Sequence, residues 1–117
     1  MAQVLVAEDE SFTAMALVDH LEDLGHRVRD AADGAKAIAL MASFRPDVLV
    51  TDLTMPEVDG YQLIQWLRAQ PGPLVPVILI TAVPQSRLPR DLPYDGYLGK
   101  PVNRDALGQM VARLAAG

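Results

Sequence analysis

Short, wholly apolar runs alternate along this chain with longer stretches in which apolar residues recur every three or four positions. Val4–Ala7 is the first such run and reads as a buried strand. Ser11 is placed to cap a helix running to about Leu24, with Leu17, Leu21 and Leu24 on one face and Gly25 as its stop. Arg27–Ala32 is a second strand of mixed polarity, expected nearer an edge. A second helix, from about Gly34 to Ser43, carries Ala37, Ile38 and Met41 at helical spacing. Val48–Thr51 is the third strand, with Pro46 just before it. Asp59-Gly60 opens a third helix whose apolar face is Leu63, Ile64 and Leu67, and Pro71-Gly72-Pro73 ends it. Val77–Ile80 is the fourth strand, Tyr97-Leu98 a short fifth, and Asn103 caps a last helix to about Ala116.

Strands that are apolar throughout, alternating with helices, predict an α/β fold: a doubly wound parallel sheet of five strands covered by helices on both faces. One region departs from the alternation. Between Thr81 and Tyr97, where a fourth helix belongs, stand Pro84, Pro89 and Pro93. Pro84 fits a first turn, but Pro89 breaks a helix after a turn or two, so a short or irregular stub is expected. The chain has no internal repeat, low-complexity tract or linker.

Composition narrows the function classes. The 117 residues suit one domain with a single core, and 50% hydrophobic with 21% charged residues is a globular balance. A net charge of -5 without a basic stripe argues against direct binding of nucleic acid. The absence of cysteine excludes disulfides and thiolate metal sites and fits a cytosolic setting. No apolar run approaches the ~20 residues that span a bilayer, and nothing resembles a targeting segment. A soluble, cytoplasmic protein without a membrane contact is the expectation.

The candidate chemistry lies where the apolar runs stop: Glu8-Asp9, Asp52, Thr81 and Lys100-Pro101. In a parallel sheet the carboxyl ends of the strands share one edge, so these residues should converge. Three ionised carboxylates in one crevice repel unless a cation neutralises them. Mg2+ suits such a site, because it takes one or two carboxylates, keeps several waters and accepts phosphate oxygens. Beside a metal, Asp52 can act as a nucleophile towards a phosphoryl donor, and Thr54 can offer its backbone carbonyl to the ion. Lys100 can pair with Asp52 and later with a phosphoryl oxygen, and its bond to Pro101 is a candidate cis peptide. The Thr81 hydroxyl can donate to the same group. Singly, each has a plainer reading: a solvated acidic loop, a turn-capping Asp, a surface Lys, a β-branched strand residue. Their joint placement at strand ends is what favours the crevice.

These segments, in this order, resemble the receiver domain of two-component response regulators, typified by CheY. The matching pieces are Val4-Leu5-Val6-Ala7-Glu8-Asp9-Glu10, Gly25, Pro46-Asp47-Val48-Leu49-Val50-Thr51-Asp52, Met55-Pro56-Glu57-Val58-Asp59-Gly60, Pro76-Val77-Ile78-Leu79-Ile80-Thr81-Ala82 and Gly96-Tyr97-Leu98-Gly99-Lys100-Pro101. The resemblance implies a flavodoxin-like sheet of order 2-1-3-4-5 and a receiver domain over residues 1–117. It implies that Asp52 is the phosphoacceptor, that Asp9, Asp52 and the Thr54 carbonyl hold Mg2+, and that Glu8 acts on the ion directly or through water. Thr81 would be the switch hydroxyl, Lys100 the cation on the phosphoryl group, and Tyr97 the aromatic whose rotamer follows. The implied partners are a sensor histidine kinase or histidine phosphotransfer protein and an output partner that the sequence does not identify. Such a chain is a signalling switch that takes part in its own phosphorylation and autodephosphorylation, not a turnover enzyme.

The resemblance has departures. The Thr81–Lys100 segment is a few residues shorter than usual, and its prolines degrade the fourth helix, so the family's usual output surface is in question. Val83 and Thr54, each two residues beyond a site residue, border the path of attacking water and should affect the dephosphorylation rate. The altered fourth helix also keeps open a receiver-like interaction module that works without phosphorylation. Two other classes fit less well. A haloacid-dehalogenase-type phosphohydrolase needs a second Asp where Thr54 stands, and a flavodoxin-like cofactor binder needs a phosphate loop where Glu8-Asp9-Glu10 would repel one.

Overall fold

Every residue of Val48–Asp52 is buried, and this strand lies at the middle of a five-stranded parallel sheet of order β2-β1-β3-β4-β5. The computed structural model describes residues 1–116; Gly117, the last residue of the expected domain, lies outside them. In chain order the elements are β1 (Gln3–Ala7), α1 (Ser11–Asp23), β2 (Arg27–Ala31), α2 (Gly34–Leu40), β3 (Val48–Asp52), α3 (Gly60–Arg68), β4 (Val77–Thr81), β5 (Gly96–Gly99) and α4 (Arg104–Ala116). The expected fold class and strand order are the observed ones.

The continuous apolar runs follow from two covered faces. Successive strand residues point to opposite sides, so a strand between two helical layers must be apolar at every position. Leu5, Leu49, Val77 and Leu79 share one core with Ala37 of α2 and Leu63, Ile64 and Leu67 of α3. The alternate residues Val4, Val6, Val48, Val50, Ile78 and Ile80 share another with Leu17 and Leu21 of α1 and Leu107 and Val111 of α4. Full burial of each such side chain stabilises by about 1.5–3 kcal/mol. β2 has only one neighbour and exposes Arg27, Arg29 and Asp30, which accounts for its mixed polarity.

Helix boundaries follow local hydrogen bonding, and one expectation fails there. Ser11 does not cap α1; it is the first helical residue, and Glu10 is the cap. The Glu10 backbone is extended, and its carboxylate accepts from the Phe12 N–H at 3.1 Å and the Thr13 N–H at 2.8 Å. At the other end Gly25, at φ +94, donates to the Glu22 carbonyl at 2.9 Å while His26 N–H donates to Leu21 at 3.2 Å, a Schellman stop. α2 ends at Leu40 and not at Ser43, because Ala42 and Ser43 donate to carbonyls three residues back and tighten the last turn. Asp59 and Gln62 form a reciprocal capping box on α3, and Asn103 Oδ1 accepts from the Ala106 N–H at 2.9 Å to cap α4.

Where a short or irregular stub is expected, the chain makes one 3-10 turn, Gln85–Arg87, between Pro84 and Pro89. Leu88 and Leu92 bury beside α3, so the irregular segment still covers the sheet. It is tied to α3 by Tyr61, whose hydroxyl donates to Asp91 Oδ2 at 2.8 Å, and by Arg68, which donates to the Pro93 carbonyl at 2.9 Å. Among the described residues no helix is long and apolar enough to cross a membrane.

Candidate functional site

Strand register brings the expected residues to one edge. Ala7 pairs with Thr51, Asp52 with Ile80, and Thr81 with Gly99, so Glu8, Asp52, Thr81 and Lys100 all leave the sheet on the same side. Glu8, Asp52 and Thr81 are polar groups in a buried setting, at 2%, 6% and 1% exposure. Burying such groups costs free energy unless they find partners.

Lys100 is the chief partner. Its backbone N–H donates to the Thr81 carbonyl at 2.9 Å, and its ammonium donates to Asp52 Oδ2 at 2.8 Å. The same Nζ lies 2.6 Å from Glu8 Oε1. That contact is ionic and out of alignment, so the buried Oε1 makes no directed hydrogen bond. Glu8 Oε2 accepts from the Glu10 N–H at 3.0 Å, and the Glu8 N–H donates to Ala31 at 2.9 Å. Burial pushes the Glu8 carboxyl above the usual range, and the ionic contact with Lys100 and the hydrogen bond from Glu10 offset this only in part. For Lys100 burial acts to lower the pKa, but the hydrogen bond to Asp52 and the ionic contact with Glu8 outweigh it and hold the ammonium above its ordinary value. The Lys100-Pro101 peptide is cis.

Asp9 stands exposed at the rim. One carboxylate oxygen each from Glu8, Asp9 and Asp52 lies within 4.8 Å of the others. Three carboxylates face one lysine, and a buried oxygen of Glu8 lacks a directed bond, so the donor set fits a hard divalent cation with oxygen ligands. Thr54 is exposed, and its N–H donates to Asp52 Oδ1 at 3.3 Å, which keeps that peptide beside the cluster. Glu10, the third member of the acidic triplet, turns away to cap α1.

Thr81 and Tyr97 meet outside the carboxylate cluster. Thr81 Oγ1 accepts from the Val83 N–H at 3.1 Å, and the half-buried Tyr97 donates its hydroxyl to the Val83 carbonyl at 2.7 Å. The sequence places Val83 only beside the water path, and nothing in its pattern marks this junction. α3 approaches from the remaining side. Gly60 donates to the Leu53 carbonyl at 2.8 Å, and a Cβ there would strike the Asp52 carbonyl oxygen and lie 2.8 Å from Leu53 Cα. A separate groove of about 230 Å³, lined by Met41, Arg45, Trp66 and Leu74 among others, flanks the amino ends of β3 and β4. It lies away from these groups, which gather at the carboxyl edge.

Comparison with known proteins agrees with this fold. Residues 4–112 match the response regulator receiver domain family. The chain is 34% identical over 112 residues to the sensor histidine kinase RcsC of Salmonella typhi, covering 93% of this chain and 12% of the kinase. It is 35% identical over 117 residues to the response regulator MprA of Mycobacterium ulcerans, covering 97% of this chain and 49% of the regulator. It therefore spans about half the length of that regulator and a small part of the kinase. The receiver domain of the Francisella response regulator 1452 superposes with a TM-score of 0.91 at 32% identity, over 99% of this chain and 98% of that one. The receiver domain of the sensor histidine kinase PA1611 from Pseudomonas aeruginosa PAO1, solved with a magnesium ion coordinated in its active site cleft, superposes at 0.86 with 27% identity, over 99% and 98%. A match that runs from β1 into α4 with the same sheet leaves one assignment: this chain belongs to the response regulator receiver domain family, the CheY-like receivers of two-component signalling.

Proposed function

We propose that this chain is a phosphoacceptor switch, in which Asp52 takes a phosphoryl group from a phosphohistidine on a sensor histidine kinase or histidine phosphotransfer protein. The observation that carries the reading is the Lys100 ammonium held against both Asp52 and Glu8 in a largely buried cluster. Apolar residues in place of buried ions are often neutral or stabilising, so a module used only for contacts gains little from such a cluster. That favours phosphoryl chemistry over a phosphorylation-independent interaction module. Sequence similarity to both a sensor histidine kinase and a response regulator supports a donor of the kinase type.

In the transfer, an Asp52 carboxylate oxygen forms a bond to phosphorus as the phosphorus–nitrogen bond of the donor breaks, and the electron pair of that bond stays on the imidazole. Glu8, Asp9 and Asp52, with the Thr54 carbonyl, would hold Mg2+, which when bound offsets the charge of the carboxylates and of the phosphoryl oxygens. Lys100 moves from Asp52 to a phosphoryl oxygen with little displacement, since its Nζ already sits 2.8 Å from Oδ2. Catalysis of this kind is positioning and electrostatics.

The new group adds about -1.5 to -2 charge at pH 7. Thr81 is the residue that reads it: its hydroxyl proton is free while its oxygen accepts from Val83, and it can turn to donate to a phosphoryl oxygen. Releasing Val83 frees the start of the segment that leads to Tyr97, a two-state element biased by charge. Attack by water on the phosphoryl group resets the switch, with Thr54 and Val83 bordering its path. We place these events in the cytoplasm, upstream of an output partner.

The test is incubation with Mg2+ and acetyl phosphate. The wild type should gain an acid-stable, base-labile phosphoryl group, and Asp52→Asn should not. A wild type that stays unmodified overturns the reading.

A further inference from the structure

The loop between Asp52 and α3 is held at two points with no clearance. At its far end Gly60 closes on the Asp52–Leu53 main chain, as described above. At Val58 it meets the first turn of α2, where the Gly34 N–H donates to the Val58 carbonyl at 2.9 Å. A Cβ on Gly34 would strike that carbonyl oxygen and lie 2.7 Å from Val58 Cγ1 and 2.8 Å from Val58 Cβ. Gly34 is buried and begins a regular helix, so it is glycine for close approach and not for a left-handed backbone. Beside Val58, Glu57 has φ 64, a left-handed conformation that a residue with a Cβ keeps where its surroundings over-determine it. The shape of the loop is thus imposed from outside, by an element that supplies no carboxylate to the cluster.

We propose that Gly34 is a positioning residue for the metal centre: through Val58 it sets the loop that carries the Thr54 carbonyl. The inference rests on the phosphoacceptor reading above. Mg2+ demands near-ideal octahedral geometry, so a carbonyl displaced by a fraction of an ångström is a poor ligand. The first atom met by a methyl at position 34 is backbone, which cannot swing aside as a side chain can. α2 is the less yielding partner, because the buried Asp33 accepts from the Lys36 N–H at 2.8 Å and fixes its first turn. The loop is what gives way.

The experiment is a Mg2+ titration of the whole chain followed by amide NMR, for the wild type and Gly34→Ala, well below the unfolding midpoint of each. Gly34→Ala should raise the Mg2+ dissociation constant about tenfold or more, the range seen when a group supporting a metal ligand is lost. Coupling is reciprocal, so saturating Mg2+ should slow hydrogen exchange of the Gly34 amide in the wild type. A variant that unfolds at lower temperature yet binds Mg2+ as tightly as the wild type has lost stability alone, and overturns the proposal. If Gly34→Ala does not fold, wild-type exchange decides: a Gly34 amide that saturating Mg2+ leaves unchanged overturns it equally. A wild type without saturable Mg2+ binding fails at the earlier step and removes the metal reading together with this one.

Discussion

Thr81 and Tyr97 close on a single residue: Val83 donates its N–H to Thr81 Oγ1 at 3.1 Å and receives the Tyr97 hydroxyl on its carbonyl at 2.7 Å. Thr81 ends β4 and Tyr97 lies in the neighbouring β5, so the first residues of the proline-rich segment hang between two strands. The Tyr97 ring also lies 6.4 Å from that of Tyr94, tilted by 48°. In the proposed switch, movement of the Thr81 hydroxyl would free the Val83 amide, and the grip of Tyr97 would then set how far the segment follows.

Tyr97→Phe keeps the ring and removes that grip. The half-buried Val83 carbonyl loses its donor, at a cost of about 1 kcal/mol in urea or thermal unfolding. Amides near Val83 should exchange faster, and the phosphorylation-dependent shifts of the 83–95 segment should shrink. Shifts of full size would show that Tyr97 does not couple the segment to Thr81.

Lys100→Ala leaves Glu8 and Asp52 facing each other without a cation. Removing one partner from a fully buried pair costs about 3–5 kcal/mol. Lys100 is 24% exposed, which reduces the expected loss to about 2 kcal/mol in metal-free buffer at neutral pH. A divalent cation replaces the missing charge, so Mg2+ should raise the unfolding midpoint of this variant more than that of the wild type. The variant should still accept some phosphate from acetyl phosphate and switch poorly. Fully normal switching would take Lys100 out of its assigned role.

What the sequence disclosed, and what it hid, divides along the range of the interaction. The edge position of β2 was legible because Arg27 and Arg29 interrupt an apolar pattern, and the site was legible because Asp52 and Thr81 end wholly apolar runs. The loss of a helix after Thr81 was legible in Pro84 and Pro89, but the burial of Leu88 and Leu92 in its place was not, since no period marks an irregular segment. Glu10 is hidden as a cap because shorter side chains lead that preference and Ser11 offers one. Gly34 was hidden most fully. Asp33-Gly34 reads as an ordinary helix start, and only the tertiary approach of Val58 shows why a side chain is excluded.

His26 gives the fold an acid-sensitive point remote from the carboxylates. Its Nδ1 accepts from the Ala2 N–H at 3.1 Å, and burial, with the positive amino terminus adding, holds the imidazole below its ordinary pKa. The unfolded chain therefore binds more protons than the folded one between the lowered value and about 6.5. Stability from His26 is fully present above about 6.5 and is lost as pH falls through the folded value. His26→Gln should flatten that part of a profile of stability against pH, measured by urea unfolding at successive pH values. An unchanged slope would assign the acid sensitivity to other groups.

Two glycines separate two kinds of cost. Gly60 is buried in the first turn of α3, and the atoms that a Cβ there would meet, the Asp52 carbonyl and Leu53 Cα, belong to the backbone. None can rotate away, so the main chain of Asp52 must shift. Gly25 ends α1 at φ +94 with nothing within 4 Å of where a Cβ would stand. Gly25→Ala thus carries only a conformational cost of about 1 kcal/mol, and acetyl phosphate should modify it at the wild-type rate. Gly60→Ala adds overpacking worth about 3 kcal/mol and displaces Asp52, so its unfolding midpoint should fall further and its phosphorylation should slow. Rates measured where both variants remain folded distinguish lost stability from a moved carboxylate. Equal rates for the two would mean that the approach of α3 does not govern where Asp52 stands.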